Sequence, residues 1–395
     1  MSLLAVALLA STVQVGLERV EADKGAPLVG KRVGLVVHAA SVTADGRHAI
    51  DVLKAQGVDV KRLLTPEHGL RSRASAGEKV AGGIDERSGL PIVSLYGERT
   101  KPTAADLEGL DTLVYDLQDA GVRFYTYMST MILCLEAAAE NGVEFVVLDR
   151  PNPHGGERVE GPVSDARELI PRSLVNTTPG PLVHGLTTGE MARFVNATLP
   201  KPARLTVVAM KGWRRATTWA DTGRSWPIPS PNLRSAEAAI AYPGTCLLEG
   251  TTATEGRGTE APFLLLGAPW LHPATIQKAV RVPGFALAAT SFTPRVSEAA
   301  LQPKHDGVLC LGVRVELRDA RRAEPYRLGI ALLRAMKDLE PDFAWRGDGS
   351  PFDRLIGTKR VRAAIDRGDS VAAIVAADAA AIADWKRARK SALLY

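Results

Sequence analysis

Short, near-continuous apolar runs alternate with amphipathic stretches through the first 150 or so positions of the chain. The runs Arg32–Val37, Val58–Leu64, Pro91–Leu95, Thr112–Asp116 and Glu144–Asp149 have the length and β-branched content of buried strands. Between them, Gly46–Gln56 and Ser129–Glu140 carry helical spacing, and Asn141-Gly142 supplies a helix stop. Alternation of this kind predicts a parallel sheet covered on both faces, hence an α/β unit. Each predicted strand delivers a polar or aromatic group at its carboxyl end: His38, Glu67, Tyr96, Asp116 and Asp149. In open α/β sheets ligands bind outside that edge.

The pattern changes beyond Trp226-Pro227-Ile228-Pro229-Ser230-Pro231-Asn232, a stiff stretch that cannot form helix. Tyr242–Thr259 reads as loop, Gly312–Arg318 alternates as a half-exposed strand, and helices are predicted over Tyr326–Leu339 and Val371–Arg389. The expected organisation is an α/β domain over 13–235 and a smaller α+β domain over 236–395. A chain of 395 residues is long enough for two cores.

Composition narrows the function. The net charge of +5 is scattered, without a basic stripe interleaved with aromatics, so nucleic acid is not expected as a partner. Cys134, Cys246 and Cys310 are far apart in apolar runs, which predicts buried thiols rather than disulfides or a zinc site. Met1–Ser11 is apolar but too short to span a bilayer, and it lacks the basic start of a signal peptide. It reads as a signal remnant, with an extracytoplasmic location, or as an ordinary N-terminus compatible with the cytoplasm. No glycine fingerprint for a dinucleotide, no P-loop and no serine-hydrolase elbow is present, so no cofactor is expected. No pair of candidate ligands has metalloprotease spacing, and no metal is expected either.

Thr65-Pro66-Glu67-His68-Gly69 puts an acid and an imidazole in a constrained turn directly after a strand. The densest polar segment is Asp116–Tyr127. There Asp116 and Asp119 offer carboxylates, Gln118 an amide, and Arg123 a fork suited to a carboxylate. Tyr125 and Tyr127 have the shape to stack on a sugar ring. Asp149 and Asn152 lie in a proline-stiffened loop, and His184 precedes a helix that Thr187 or Thr188 caps with Glu190. From the second domain, the loop Glu249–Thr259, with Glu249, Glu255 and Arg257, is placed to close over the site.

These motifs, together with SLYG at Ser94–Gly97, DRPNPHGG at Asp149–Gly156, PSPN at Pro229–Asn232 and EGTTATEGRGT at Glu249–Thr259, resemble the NamZ-type exo-β-N-acetylmuramidases. The resemblance spans nearly the whole chain. It implies a Rossmann-like N-terminal domain, a smaller C-terminal domain, a cleft between them, and removal of N-acetylmuramic acid from the non-reducing end of peptidoglycan fragments. Peptidoglycan-derived disaccharides and muropeptides would be the partners. Glu67 would be the catalytic acid, with His68 orienting it or a water. Asp116, Asp119 or the substrate's own 2-acetamido group would fill the second role. Arg123 would hold the lactyl carboxylate, and Tyr96 and Asn232 would lie among the sugar contacts. Two departures stand out: Thr252 where the family usually has asparagine, and His38-Ala39-Ala40-Ser41 where an Asn-rich loop is common. A non-catalytic cell-wall-fragment binder and a muropeptide amidase remain as alternatives.

Overall fold

A computed structural model describes residues 13–165 and 173–395; the leader-like stretch 1–11 lies outside them. The strands β1 (Arg32–Val37), β2 (Asp59–Thr65), β3 (Gly83–Ile84), β4 (Pro91–Ser94), β5 (Thr112–Asp116) and β6 (Glu144–Leu148) follow the apolar runs closely. Beyond them come β7 (Glu160–Val163), β8 (Pro181–Val183) and β9 (Leu205–Val208). The main sheet has the order β3-β4-β2-β1-β5-β6-β9. It is parallel except for the short edge pair of β3 with β4. This is the expected Rossmann-like α/β unit.

Successive residues of the central strands serve opposite faces, because strand side chains alternate. Val33, Leu35 and Val37 of β1, with Val114, Val146 and Leu148, pack under α1 (Gly16–Ala22) and α2 (Ala49–Ala55). Val36, Leu113, Tyr115, Phe145 and Val147 face the other way, onto α4 (Thr126–Asn141). The short α3 (Ala104–Leu107) lies before β5, and α5 (Thr188–Asn196) precedes β9. Helix α4 stops where foreseen, at Gly142, whose φ of 68° is left-handed. The order of successive strands reverses at β1, with β2 on one side and β5 on the other, so the switch point lies among the loops after these three parallel strands.

The second half is α+β. An antiparallel sheet of order β10-β12-β11 (Leu265–Ala268, Cys310–Leu317, Phe285–Phe292) packs with α6 (Ala236–Thr245), α7 (Pro273–Ala279) and α8 (Pro325–Leu339). Two expectations need correction. Tyr242–Thr245 is helical rather than loop: α6 continues through Pro243, and Gly244 crosses α8 at Gly329 so closely that a Cβ on Gly244 would lie 2.0 Å from the Pro325 carbonyl. The single helix expected over Val371–Arg389 is broken into α11 (Val371–Ala376) and α12 (Ala379–Ala388), after α9 (Ser350–Ile356) and α10 (Lys359–Arg367). The break turns Asp378 inward to an ion pair with Arg360, while Ile374 and Trp385 on either side are both buried. The apolar cluster containing α4 runs on through α6, α8, β12 and Trp385, so both halves share one continuous core. The three cysteines are buried and free. Among the described residues, no helix is long and apolar enough to cross a membrane.

Candidate active site

Along the carboxyl edge of the sheet the strand-end residues stand in the order Tyr96, Glu67, His38, Asp116, Asp149. Proline ends β2, and His68 and Gly69 then take left-handed conformations, φ 71° and 70°. That conformation is unfavourable for a residue with a side chain. The His68 carbonyl accepts from Arg73 and Ala74 N–H, and its ring Nδ1 lies 2.7 Å from the Ala74 carbonyl. A carbonyl only accepts, so Nδ1 carries the proton, and burial holds the ring below its usual pKa. The neutral tautomer leaves Nε2 with a lone pair.

The same turn aims Glu67, which is nearly buried. Its Oε1 accepts from Gly77 N–H at 2.9 Å and its Oε2 from Thr126 Oγ1 at 2.8 Å. Tyr127 Oη donates to the Pro229 carbonyl at 2.7 Å and lies 3.3 Å from the Glu67 carbonyl, fixing the backbone beneath. Tyr96 approaches from β4, and burial together with the Glu67 charge raises its phenol. His38 packs at a tilt against Tyr127, ring centroids 4.9 Å apart, and burial pushes its pKa down to about 3. Its Nδ1 accepts from Ala40 N–H, so the proton sits on Nε2, which has no protein partner.

Beside Gly77 a cleft of about 500 Å³ opens between the two halves. Ser75, Gly77 and Glu78 line one wall; Glu249, Glu255, Arg257, Lys304 and Arg346 line the other. The Gly/Thr loop thus faces the turn after β2, as the sequence suggested. Arg257 is paired with Glu249 at 2.6 Å and Glu255 at 3.4 Å and lies over the Phe263 ring. Lys304 donates to the Leu248 and Ala253 carbonyls and pairs with Glu255 at 3.1 Å. Thr252, the departure from asparagine, accepts from Ala344 N–H at 3.0 Å and ties this loop to its neighbour. Asn232 donates to the Ala299 carbonyl at 2.6 Å, while its Oδ1 stays unpartnered.

Other candidates have structural partners. Both oxygens of Asp116 are taken by the buried Arg150 fork, at 2.6 and 2.9 Å, and Ser41 bonds its carbonyl. Asp149 accepts from Thr187 Oγ1, Gly189 N–H and Tyr395 Oη. Burial still raises its carboxyl to about 6. Gln118 donates to the Asp119 and Pro151 carbonyls. Asn152 donates to the Leu186 carbonyl. Thr187 is the helix cap, with Glu190 in the capping box.

Arg123 corrects the expectation most sharply. It is fully buried and donates to the Ile356 carbonyl at the end of α9, packed so tightly that a Cβ on Gly357 would lie 2.6 Å from its guanidinium. Its charge meets the negative end of a helix rather than a ligand from solvent. Tyr127 is likewise fully buried, and Tyr125 nearly so, in edge-to-face contact at 4.8 Å, so neither offers a face to a sugar. His184 is buried under the end of the chain, where its carbonyl accepts from Trp385 and Arg389. Asp119 differs from these: Gly121 N–H holds Oδ2 at 2.6 Å, Oδ1 has no hydrogen-bond partner among the described residues, and burial raises the carboxyl to about 7.

Sequence reasoning passed over Thr126, Gly77, Arg150, Lys304 and Arg346. Thr126 sits inside the dense Asp116–Tyr127 segment, and Arg150 adjoins Asp149; their neighbours were the signal. Lys304 and Arg346 lie in loops with no local signature. Among the described residues, no cluster of histidine, cysteine and acidic side chains is built to hold a metal.

The model of the NamZ exo-β-N-acetylmuramidase N-terminal domain matches residues 33–237, and that of the C-terminal domain matches residues 240–395. The chain belongs to the NamZ family. The family places it among the glycoside hydrolases. It is 40% identical to the peptidoglycan β-N-acetylmuramidase NamZ of Bacillus subtilis (strain 168), over 97% of this chain and 91% of that one. Two solved DUF1343 family proteins of Bacteroides fragilis NCTC 9343 are similar in structure. One is 31% identical with a TM-score of 0.86 over 97% of this chain and 99% of its own. The other is 32% identical with a TM-score of 0.78 over 98% and 99%.

Proposed function

We propose that the protein removes N-acetylmuramic acid from the non-reducing end of peptidoglycan fragments, with Glu67 as general acid. The observation that carries this reading is the setting of Glu67. Its carboxylate is fixed by Gly77 N–H and Thr126 Oγ1 beside a cleft lined by both halves of a NamZ-family chain.

Glycoside hydrolysis needs a proton on the leaving oxygen and a second group at the oxocarbenium-like centre. Thr126 Oγ1 fills one lone-pair direction of Oε2 and leaves the other for the proton that passes to the leaving oxygen. Gly77 N–H then stays on Oε1. His68 Nε2 presents a lone pair next to the acid, suited to orienting a water. Asp116 is committed to Arg150. The second role therefore falls to Asp119, which keeps a free oxygen, or to the substrate's 2-acetamido group.

The test is mass identification of the sugar released from a peptide-free disaccharide bearing N-acetylmuramic acid at its non-reducing end. Wild type releases that sugar, and Glu67→Gln loses about 10²- to 10⁴-fold in rate, the usual worth of a positioned acid. Tight binding without release, or release of a peptide instead, would replace the hydrolase reading with one of its rivals.

A further inference from the structure

Charge in the cleft is unevenly matched. Of the three cations on its walls, Arg257 is paired with Glu249 and Glu255, and Lys304 is held by Glu255 and two carbonyls. Glu78 is occupied as well, its Oε2 accepting from Ser75 N–H at 2.7 Å. Arg346 alone lines the cleft with an exposed guanidinium that no carboxylate among the described residues pairs with.

Its position is nonetheless fixed. Arg346 N–H donates to the Gly250 carbonyl at 2.9 Å, and the preceding Trp345 bridges Thr251. The side chain is tethered by a single bond, Nη1 to the Glu249 carbonyl at 3.2 Å. A guanidinium anchored at one nitrogen keeps other N–H groups free for a planar anion.

N-acetylmuramic acid differs from N-acetylglucosamine by one group, a lactyl ether ending in a carboxylate. We propose that Arg346 receives that carboxylate, so that the C-terminal half selects muramic acid by charge while the N-terminal half supplies the acid. The assignment rests on the proposed hydrolase reading and deepens it. It also reassigns to Arg346 the role that the sequence suggested for Arg123.

The test compares two chromogenic β-glycosides, one of N-acetylmuramic acid and one of its uncharged lactamide, on wild type and Arg346→Ala. The ratio of kcat/KM for acid over amide is expected to fall about 10- to 100-fold in the variant, as for loss of a charge-assisted bond. An unchanged ratio would overturn the assignment, even if both rates dropped together. A wild-type protein that cleaved neither glycoside would overturn the hydrolase reading instead. Calorimetric dissociation constants for free N-acetylmuramic acid and its lactamide would then still decide the carboxylate contact. A ratio of constants that collapses in Arg346→Ala supports it, and one that does not refutes it.

Discussion

Glu67 and Asp116 flank β1 on the same sheet edge, each delivered by a parallel strand, and they have opposite fates. Glu67 is held by neutral donors, a backbone N–H and a threonine hydroxyl. Asp116 is held by a guanidinium with which it shares two short bonds in a site closed to water. Neutral donors orient a carboxylate without compensating its charge. A buried fork takes both oxygens of the carboxylate, and losing the carboxylate would leave the guanidinium unpaired. The strand edge therefore supplies acids without distinguishing them; the partner that arrives from elsewhere in the chain decides which one is locked into the structure.

The largest expected effect on stability is at Asp116. Asp116→Asn strands the buried Arg150 charge and should cost about 3–5 kcal/mol in denaturant unfolding. A loss below about 1 kcal/mol would mean that the pair is not what locks this side of the edge. Next comes Asp119, whose carboxyl burial raises to about 7. A folded-state pKa above the unfolded one gives stability that is full at low pH and lost as pH rises through the folded value. Wild type should therefore weaken between about pH 4 and about pH 7 relative to Asp119→Asn, which does not titrate. A difference independent of pH would refute the buried-acid picture. The smallest effect is at Tyr395→Phe, which removes one of four donors to the buried Asp149. Unfolding should show about 1–2 kcal/mol, since three donors remain.

Much of the first half was legible because its strands are buried on both faces and read as continuous apolar runs. The cap at Thr187 and the stop at Gly142 were legible too, being local chemistry. The break at Asp378 was not, because the residues on either side favour helix and the aspartate's partner, Arg360, lies on another helix. Site residues divide along the same line. The constrained turn at Glu67 was legible because proline and glycine shape it within a few positions. Arg123 was misjudged because its partner, the Ile356 carbonyl, lies far along the chain at the end of another helix. Arg346 carries no local mark at all. Its role depends on which acids the fold has already given to Arg257 and Lys304.

The claim that Glu67 donates the proton is tested most directly by varying the leaving group. On a series of aryl β-N-acetylmuramides, the ratio of wild-type to Glu67→Gln kcat/KM should widen as the leaving phenol becomes more basic, since a poorer leaving group needs the proton more. A ratio that stays constant across the series would show that Glu67 does something other than protonate the departing oxygen.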